Sequence, residues 1–134
     1  NEDCHVILRG GKQPNHDAAG VDAAARILAE AGIPARLMID FSHGNSAKDA
    51  GMQVDVGRQV AAQIAGGDGR IFGVMVESHL KAGRQDLLPG KELVYGQSIT
   101  DACISWEESH RLLDTLADAV RQRRLKEESE TEAE

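Results

Sequence analysis

Short apolar runs alternate with longer amphipathic segments along the chain, and this pattern predicts strands and helices in turn. The four predicted strands are residues 4–9, 36–40, 71–76 and 98–100. The three predicted helices run from about Asp17 to Ala31, from about Ser46 to Ala65 and from about Trp106 to Arg124. Residues 81–95 are predicted to be an irregular loop. Strand starts lie roughly 30 residues apart, as in the βα units of a parallel sheet. The pattern therefore predicts an α/β fold with four parallel strands and helices on the outer face.

Each predicted strand ends at a polar or ionisable residue. The first strand ends at Arg9, and the second ends at Asp40 and is followed by His43. The third strand ends at Glu77 and the fourth at Asp101. Barrels and doubly wound sheets present their chemistry at the carboxyl ends of parallel strands. The four strand ends therefore predict one site at a common rim.

Three of these residues, His43, Glu77 and Asp101, form a candidate metal site. An imidazole and two carboxylates are ligands that suit a divalent transition metal. Each residue also has a purely structural interpretation. His43 can be a hydrogen-bonded loop residue, Glu77 can form an ion pair with Arg9, and Asp101 can cap the turn into the last helix. Spacing alone leaves both interpretations open.

Three neighbouring residues are candidates for supporting roles. Arg9 lies before Gly10-Gly11, where it can pair with a surface carboxylate or bind a phosphate or carboxylate with its guanidinium fork. His79 is two residues from Glu77 and points the same way in an extended segment, so it is a candidate to orient that carboxylate. Asp40 is interpreted as a solvated or turn-capping residue, with the orientation of a neighbour as the alternative.

Composition indicates one domain with an aliphatic core. The chain has 134 residues, of which 41% are hydrophobic and only 3% aromatic. In the second helix, Met52, Val56, Val60 and Ile64 are the predicted core residues. The net charge is −7, but five glutamates lie among the last eight residues, so residues 126–134 are predicted to be an acidic, disordered tail.

The charge pattern also limits the partners and the location of the protein. The absence of a basic stripe and the few aromatic residues argue against nucleic-acid binding. The sequence contains no apolar run of the length that spans a membrane and no signal-peptide pattern, so we expect a cytoplasmic protein without a membrane anchor.

Four stretches together resemble one family: residues 4–11 (CHVILRGG), 38–46 (MIDFSHGNS), 73–80 (GVMVESHL) and 95–104 (YGQSITDACI). From about Asp3 to Arg124 their order and spacing are similar to the carboxy-terminal half of type I 3-deoxy-D-arabino-heptulosonate 7-phosphate (DAHP) synthases. The resemblance implies that residues 1–125 are the C-terminal four βα units of a (β/α)8 TIM barrel. It also implies a metal-dependent, aldol-type transferase that condenses phosphoenolpyruvate with erythrose 4-phosphate to DAHP and phosphate, the first step of the shikimate pathway.

The resemblance implies roles for individual residues. His43, Glu77 and Asp101 correspond to three of the family's four ligands for a divalent metal ion, and such a ligand set accepts Mn, Fe, Co or Zn. Arg9 corresponds to an arginine that binds the phosphate of phosphoenolpyruvate, and His43 lies near the same substrate. His43 and Asp101 are the expected catalytic residues.

Part of the family's site has no counterpart in this sequence. The fourth ligand is a cysteine on an early strand, and neither Cys4 nor Cys103 lies in its motif. The segment that binds the sugar phosphate and other basic residues around phosphoenolpyruvate are also missing. We therefore expect the chain alone to bind metal weakly and to be inactive.

Three alternatives remain. The first is a non-catalytic half-barrel that forms a homo-oligomer or associates with a missing N-terminal half, because four βα units leave open sheet edges and an apolar interior. The second is an independent flavodoxin-like or receiver-like domain, although Arg9 lies where such a domain would carry a carboxylate. A synthase that extends arabinose 5-phosphate is a weaker match to the same motifs.

Overall fold

The computed structural model describes residues 4–132, and it contains parallel strands and helices as the sequence predicts. The strands are β1 (Val6–Leu8), β2 (Leu37–Asp40), β3 (Ile71–Met75), β4 (Lys81–Arg84) and β5 (Gln97–Ser98). The helices are α1 (Ala18–Glu30), α2 (Met52–Ala65) and α3 (Trp106–Thr131), with a 3₁₀ turn at His43–Ser46.

The first three strands form one parallel sheet in the order β1-β2-β3. Leu8 pairs with Ile39, and Ile39 pairs in turn with Val74. A bulge between Leu37 and Met38 shifts the register of β2 against β3. Because all three strands run the same way, their carboxyl ends meet at one edge of the sheet, and this edge carries Arg9, Asp40 and Glu77.

One face of this sheet packs against the helices. Alternate residues of β2 and the residue after it, Leu37, Ile39 and Phe41, are fully buried in a core to which all three helices contribute. A Cβ atom at Gly57 would lie 2.5 Å from Cδ1 of Leu112, so the glycine allows α2 to approach α3 closely. The helices thus hold the sheet from one side.

The predicted core of α2 is correct for Val56, Val60 and Ile64 but wrong for Met52, which is 45% exposed. The helix begins at Met52 and not near Ser46, because a 3₁₀ turn and a short irregular segment occupy the preceding residues. Gln53 takes the buried position at the start of the helix and is 0% exposed. The buried face of α2 therefore includes one polar side chain next to its apolar residues.

The opposite face of the sheet is only partly covered in the described residues. Ile7 and Phe72 are about half exposed, at 49% and 50%. Ile7, Met38 and Gly73 lie side by side across the three strands. The apolar run at residues 4–9 favours a strand buried on both faces, but Ile7 is half exposed because none of the described elements packs over it.

The prediction of four strands in a single parallel sheet is also wrong. β5 pairs with β4 in a separate two-stranded parallel sheet, and β4 lies within the segment predicted to be an irregular loop. The main chain of Lys81 donates a hydrogen bond to the carbonyl of Gly96 at 2.8 Å. A bridge between Ser78 and Ile104 joins the segment after β3 to the segment after β5.

The last helix is longer than predicted. α3 begins with a capping box, in which Ser105 accepts a hydrogen bond from the main chain of Glu108 and the Glu108 carboxylate accepts one in return. The helix continues to Thr131, whereas a disordered tail was predicted from residue 126. Glu, Lys and Arg favour helices, and each residue added to an established helix gains a hydrogen bond that offsets the entropic cost of fixing it. Residues 133 and 134 lie outside the described residues. Among residues 4–132, no helix combines the length and apolar character needed to cross a membrane.

Candidate metal centre

The side chains of His43, Glu77 and Asp101 converge at the carboxyl edge of the sheet. Each of the three offers one ligand atom, and these atoms all lie within 4.8 Å of one another. Nε2 of His43 is 3.9 Å from Oε1 of Glu77. Three residues separated by up to 58 positions in the sequence are thus brought to one point, as the strand ends predicted.

Asp40 orients the His43 ring. The Asp40 side chain is nearly fully buried, and its Oδ2 atom lies 2.8 Å from Nδ1 of His43. Its Oδ1 atom accepts a hydrogen bond from the main chain of Ser42 at 2.8 Å. Because a carboxylate can only accept, Nδ1 carries a proton, and in the neutral ring Nε2 has the lone pair on the side of Glu77. Asp40 therefore caps the turn and also orients a neighbour, which the sequence offered as alternatives.

Glu77 lies just beyond the end of β3 and is held through its main chain. The Gln53 side chain accepts a hydrogen bond from the Glu77 N–H at 2.9 Å and donates one to the Glu77 carbonyl at 3.1 Å. The main chain of Ile104 donates to the same carbonyl at 3.0 Å. Sequence reasoning missed Gln53, although a polar residue in phase with an apolar helical stripe was a signal that could have identified it.

Asp101 is the most exposed member of the cluster. The interpretation of Asp101 as a helix cap is wrong, because Ser105 caps α3. The thiol of Cys103 donates a hydrogen bond to the Asp101 carbonyl at 3.5 Å, and burial raises the pKa of this thiol. A thiol with a raised pKa is a poor nucleophile and a poor metal ligand near neutral pH, and neither Cys103 nor Cys4 belongs to the cluster.

Arg9 lies next to the turn that carries His43. Its carbonyl accepts a hydrogen bond from the main chain of Gly44 at 3.0 Å. The Arg9 side chain is exposed, and it forms no ion pair with any residue between 4 and 132. The alternative in which Arg9 pairs with Glu77 is therefore wrong for this structure, and no carboxylate among residues 4–132 pairs with its guanidinium.

Asn45 joins the ends of β1 and β2, and sequence reasoning did not identify it. The side chain is buried, and its amide nitrogen donates to the carbonyls of Leu8 at 3.0 Å and Asp40 at 2.8 Å. Its oxygen accepts a hydrogen bond from the main chain of Asn15 at 2.8 Å. Because Leu8 precedes Arg9 directly, this one amide fixes the Arg9 strand end relative to the turn of His43.

His79 is not part of the cluster. Its ring is exposed, and Nδ1 accepts a hydrogen bond from the main chain of Leu80 at 2.8 Å. This local contact turns the ring toward its own backbone, so the expectation that His79 orients Glu77 is wrong. Asp40 and Gln53 occupy the supporting positions instead.

The donor set fits a divalent metal ion. One imidazole nitrogen and two carboxylate oxygens are close enough to share one cation, and the nitrogen that faces the cluster is the one that does not bond to Asp40. Three ligands from one chain leave coordination positions for a substrate oxygen and for a further ligand.

Comparison with known proteins identifies the relatives of this chain. The sequence profile described as the DAHP synthetase I family matches residues 1–114. A Phe-sensitive phospho-2-dehydro-3-deoxyheptonate aldolase of Escherichia coli K12 is 56% identical over 124 residues, which are 92% of this chain and 35% of the relative. A tyrosine-inhibited enzyme of the same name from Schizosaccharomyces pombe is 52% identical over 134 residues, covering 96% of this chain and 36% of the relative.

A solved structure agrees with the fold. The phospho-2-dehydro-3-deoxyheptonate aldolase of Francisella tularensis SCHU S4 superposes with a TM-score of 0.87 at 47% identity, covering 92% of this chain and 36% of that one. The chain thus spans about a third of the length of the curated relatives that it matches.

Proposed function

This chain belongs to the DAHP synthetase I family, and from that premise we propose that it forms the metal-binding part of a DAHP synthase. The intact enzyme would condense phosphoenolpyruvate with erythrose 4-phosphate, releasing phosphate. The observation that carries the proposal is the convergence of His43, Glu77 and Asp101 within 4.8 Å at the carboxyl edge of a parallel sheet.

We further propose that residues 1–125 form half of a (β/α)8 barrel. The three parallel strands with helices on one face support this architecture. The half-exposed face around Ile7 and Phe72 would then be the barrel interior, which further strands would cover.

His43, Glu77 and Asp101 would hold the divalent metal through one nitrogen and two carboxylate oxygens. When bound there, the ion would supply Lewis-acid chemistry, making the aldehyde carbon of the sugar more electrophilic. The role of the protein is to keep the three ligands close together before the ion arrives. Asp40 contributes by holding Nε2 of His43 toward Glu77.

Arg9 would bind the phosphate of phosphoenolpyruvate. Its planar guanidinium can donate two parallel hydrogen bonds to phosphate oxygens, and among the described residues no carboxylate competes for it. The hydrogen bond between the Arg9 carbonyl and Gly44 keeps this strand end beside the His43 turn. Arg9 would thus place the donor substrate next to the metal ligands, which is a positioning and electrostatic contribution.

His43 and Asp101 would be the catalytic residues. Nε2 of His43 would hold the metal, and the hydrogen bond from Gly44 to the Arg9 carbonyl places the His43 turn beside the arginine that would bind phosphoenolpyruvate. The Asp101 carboxylate is exposed and accepts no hydrogen bond from any described residue, so an oxygen remains available to hold or accept a proton during the reaction.

The experiment that tests this function is a chimera. The 124 residues that match the Escherichia coli K12 relative would replace the corresponding part of that protein. We expect the chimera to consume both substrates and release phosphate with added Mn²⁺, whereas the chain alone should show no turnover because it supplies only part of the site. His43→Ala in the chimera should abolish turnover, and His110→Ala, which removes an exposed imidazole on α3, should not. A folded chimera that binds Mn²⁺ without turnover would reject the proposal, whereas turnover by the isolated chain would contradict the expectation that it supplies only part of the site.

A second candidate is a non-catalytic half-barrel that pairs with another copy of itself. The exposed apolar face around Ile7 and Phe72 favours this alternative, because burying it between two copies would remove apolar surface from water. Sizing by light scattering tests this alternative. A dimer that persists in Ile7→Asp would argue against pairing through this face.

A further inference from the structure

The end of β3 loses its neighbour just before Glu77. In the last hydrogen bond between the β2 and β3 regions, the main-chain N–H of Phe41 donates to the carbonyl of Met75 at 2.9 Å. Beyond Phe41 the chain turns away into the 3₁₀ turn that carries His43. The backbone of Glu77 therefore has no strand beside it on the β2 side.

The Gln53 side chain occupies the place of the missing strand. Its primary amide presents one acceptor and one donor, and both bond to the main chain of the same residue, Glu77. An adjacent parallel strand would bond to the N–H and C=O groups of one residue through two of its own residues. On the other side, Ile104 donates to the Glu77 carbonyl and accepts from the main chain of His79 at 3.1 Å. Glu77 is thus held from both sides, and only the Gln53 contact bonds its N–H.

We propose that Gln53 is a positioning residue that fixes the backbone of Glu77 and thereby directs its carboxylate toward His43 and Asp101. This inference rests on the proposed metal site. The direction of a side chain depends on its backbone and rotamer, and a ligand displaced by about 1 Å loses much of its contribution to a site. Gln53 is 0% exposed, so water cannot take over its hydrogen bonds without a rearrangement of α2.

A structural role for Gln53 makes a different prediction from a positioning role. If Gln53 only fills the core, its replacement should lower stability without a specific effect on the cluster. If Gln53 positions Glu77, the cluster should bind metal less tightly even where stability is matched.

The test compares two substitutions on the same helix. Gln53→Met keeps an unbranched side chain of similar length but removes both hydrogen bonds to Glu77. Gln63→Met is the matched control, because the Gln63 side chain also bonds to a backbone carbonyl, that of His16 at 2.8 Å, far along α2 from the cluster. Mn²⁺ binding to the full chain would be measured from the electron paramagnetic resonance signal of the free ion, with thermal unfolding as the stability measurement.

We expect Gln53→Met to weaken Mn²⁺ binding roughly 10-fold, in line with other residues that orient metal ligands, and Gln63→Met to leave it unchanged. Unchanged binding in Gln53→Met, or an equal loss in both variants, would overturn the inference. A wild-type chain that binds no Mn²⁺ would instead reject the proposed metal site, and the role of Gln53 with it.

A measurement on the wild-type chain tests the contact itself and does not depend on the folding of a variant. Among the described residues, the N–H of Glu77 bonds to Gln53, whereas that of Ser78 has no bonded partner. In amide hydrogen exchange without metal, the Glu77 amide should therefore exchange roughly 10-fold or more slowly than the Ser78 amide. Equal exchange of the two amides would show that Gln53 does not hold Glu77 in solution and would overturn the inference.

Discussion

The imidazole of His43 bridges two carboxylates, with Nδ1 at 2.8 Å from Oδ2 of Asp40 and Nε2 at 3.9 Å from Oε1 of Glu77. The short contact to the buried Asp40 fixes which nitrogen carries the proton. In the proposed metal site, the other nitrogen would donate its lone pair to the ion, and the contact with Asp40 favours the tautomer that leaves this lone pair available. The function of His43 in the cluster therefore depends on a residue that is not itself a ligand.

Asp40→Asn should weaken metal binding by about 10- to 100-fold while the turn is retained. If the asparagine oxygen takes over the hydrogen bond from Ser42, its amide group faces Nδ1 as a donor, and the ring must move its proton to Nε2. That change blocks the nitrogen that faces Glu77. Mn²⁺ titration of the full chain measures the effect. Asp49→Asn is the matched control, because Asp49 also accepts a main-chain hydrogen bond, from Gly51 at 2.9 Å, but contacts no histidine. Equal metal affinity in both variants would contradict the orienting role.

Asn45→Ala should lower the free energy of unfolding by about 2–4 kcal/mol, because it leaves the buried carbonyls of Leu8 and Asp40 without their donor. Urea unfolding measures the change. Ser46→Ala is the neighbouring control: the Ser46 hydroxyl is buried and has no hydrogen-bond partner among the described residues, so its removal should change stability by less than about 1 kcal/mol. A larger loss in Ser46→Ala than in Asn45→Ala would contradict this account of the strand ends.

Gly10→Ala should destabilise the chain by about 2–4 kcal/mol, whereas Gly11→Ala should be tolerated. At Gly10 the backbone has a φ of +74°, and a Cβ atom would lie 2.5 Å from the carbonyl carbon of Gly44. At Gly11 no atom lies within 4 Å of an added Cβ. Urea unfolding of the two variants measures the difference. Because Gly10 follows Arg9, the same close approach keeps Arg9 beside the His43 turn, and similar stability of both variants would refute it.

The sequence predicted what depends on local pattern and missed what depends on contacts between distant residues. Apolar runs and helical spacing indicated the three main strands and the three helices, and the strand ends indicated His43, Glu77 and Asp101. The separate pairing of β4 with β5 was not predictable from the pattern, because it is made by backbone hydrogen bonds such as that of Lys81 to Gly96.

The roles of Gln53 and Asn45 were missed for a related reason. Gln53 bonds to a residue 24 positions away and Asn45 to one 37 positions away. Nothing in the local sequence of either residue indicates which backbone groups lack partners. Only the fold shows that β2 turns away from β3 before Glu77, where Gln53 bonds to the free backbone groups. It also shows that the end of β1 lies beside the His43 turn, where Asn45 bonds to both.

Acid should remove the contribution of Asp68 to stability. Both oxygens of the Asp68 carboxylate accept hydrogen bonds from the Arg70 side chain, at 2.9 and 2.7 Å, and these bonds lower the pKa of Asp68. A folded-state pKa below the unfolded value of about 3.9 means that the stabilisation is fully present above that pH and is lost as the pH falls through the folded pKa. Asp68→Asn should therefore lower the free energy of unfolding by about 1–3 kcal/mol at pH 7.

The control for Asp68→Asn is the pH dependence of the gap, that is, of the difference in free energy of unfolding between the wild type and the variant. The same two proteins are compared at every pH. Urea unfolding of the wild type and the variant at intervals between about pH 7 and pH 2.5 should give a constant gap above about pH 5. The gap should then narrow at lower pH, because protonation of Asp68 in the wild type removes the charge that the variant lacks at every pH. A gap of the same size at pH 7 and pH 3 would show that the ion pair with Arg70 does not couple protonation of Asp68 to folding.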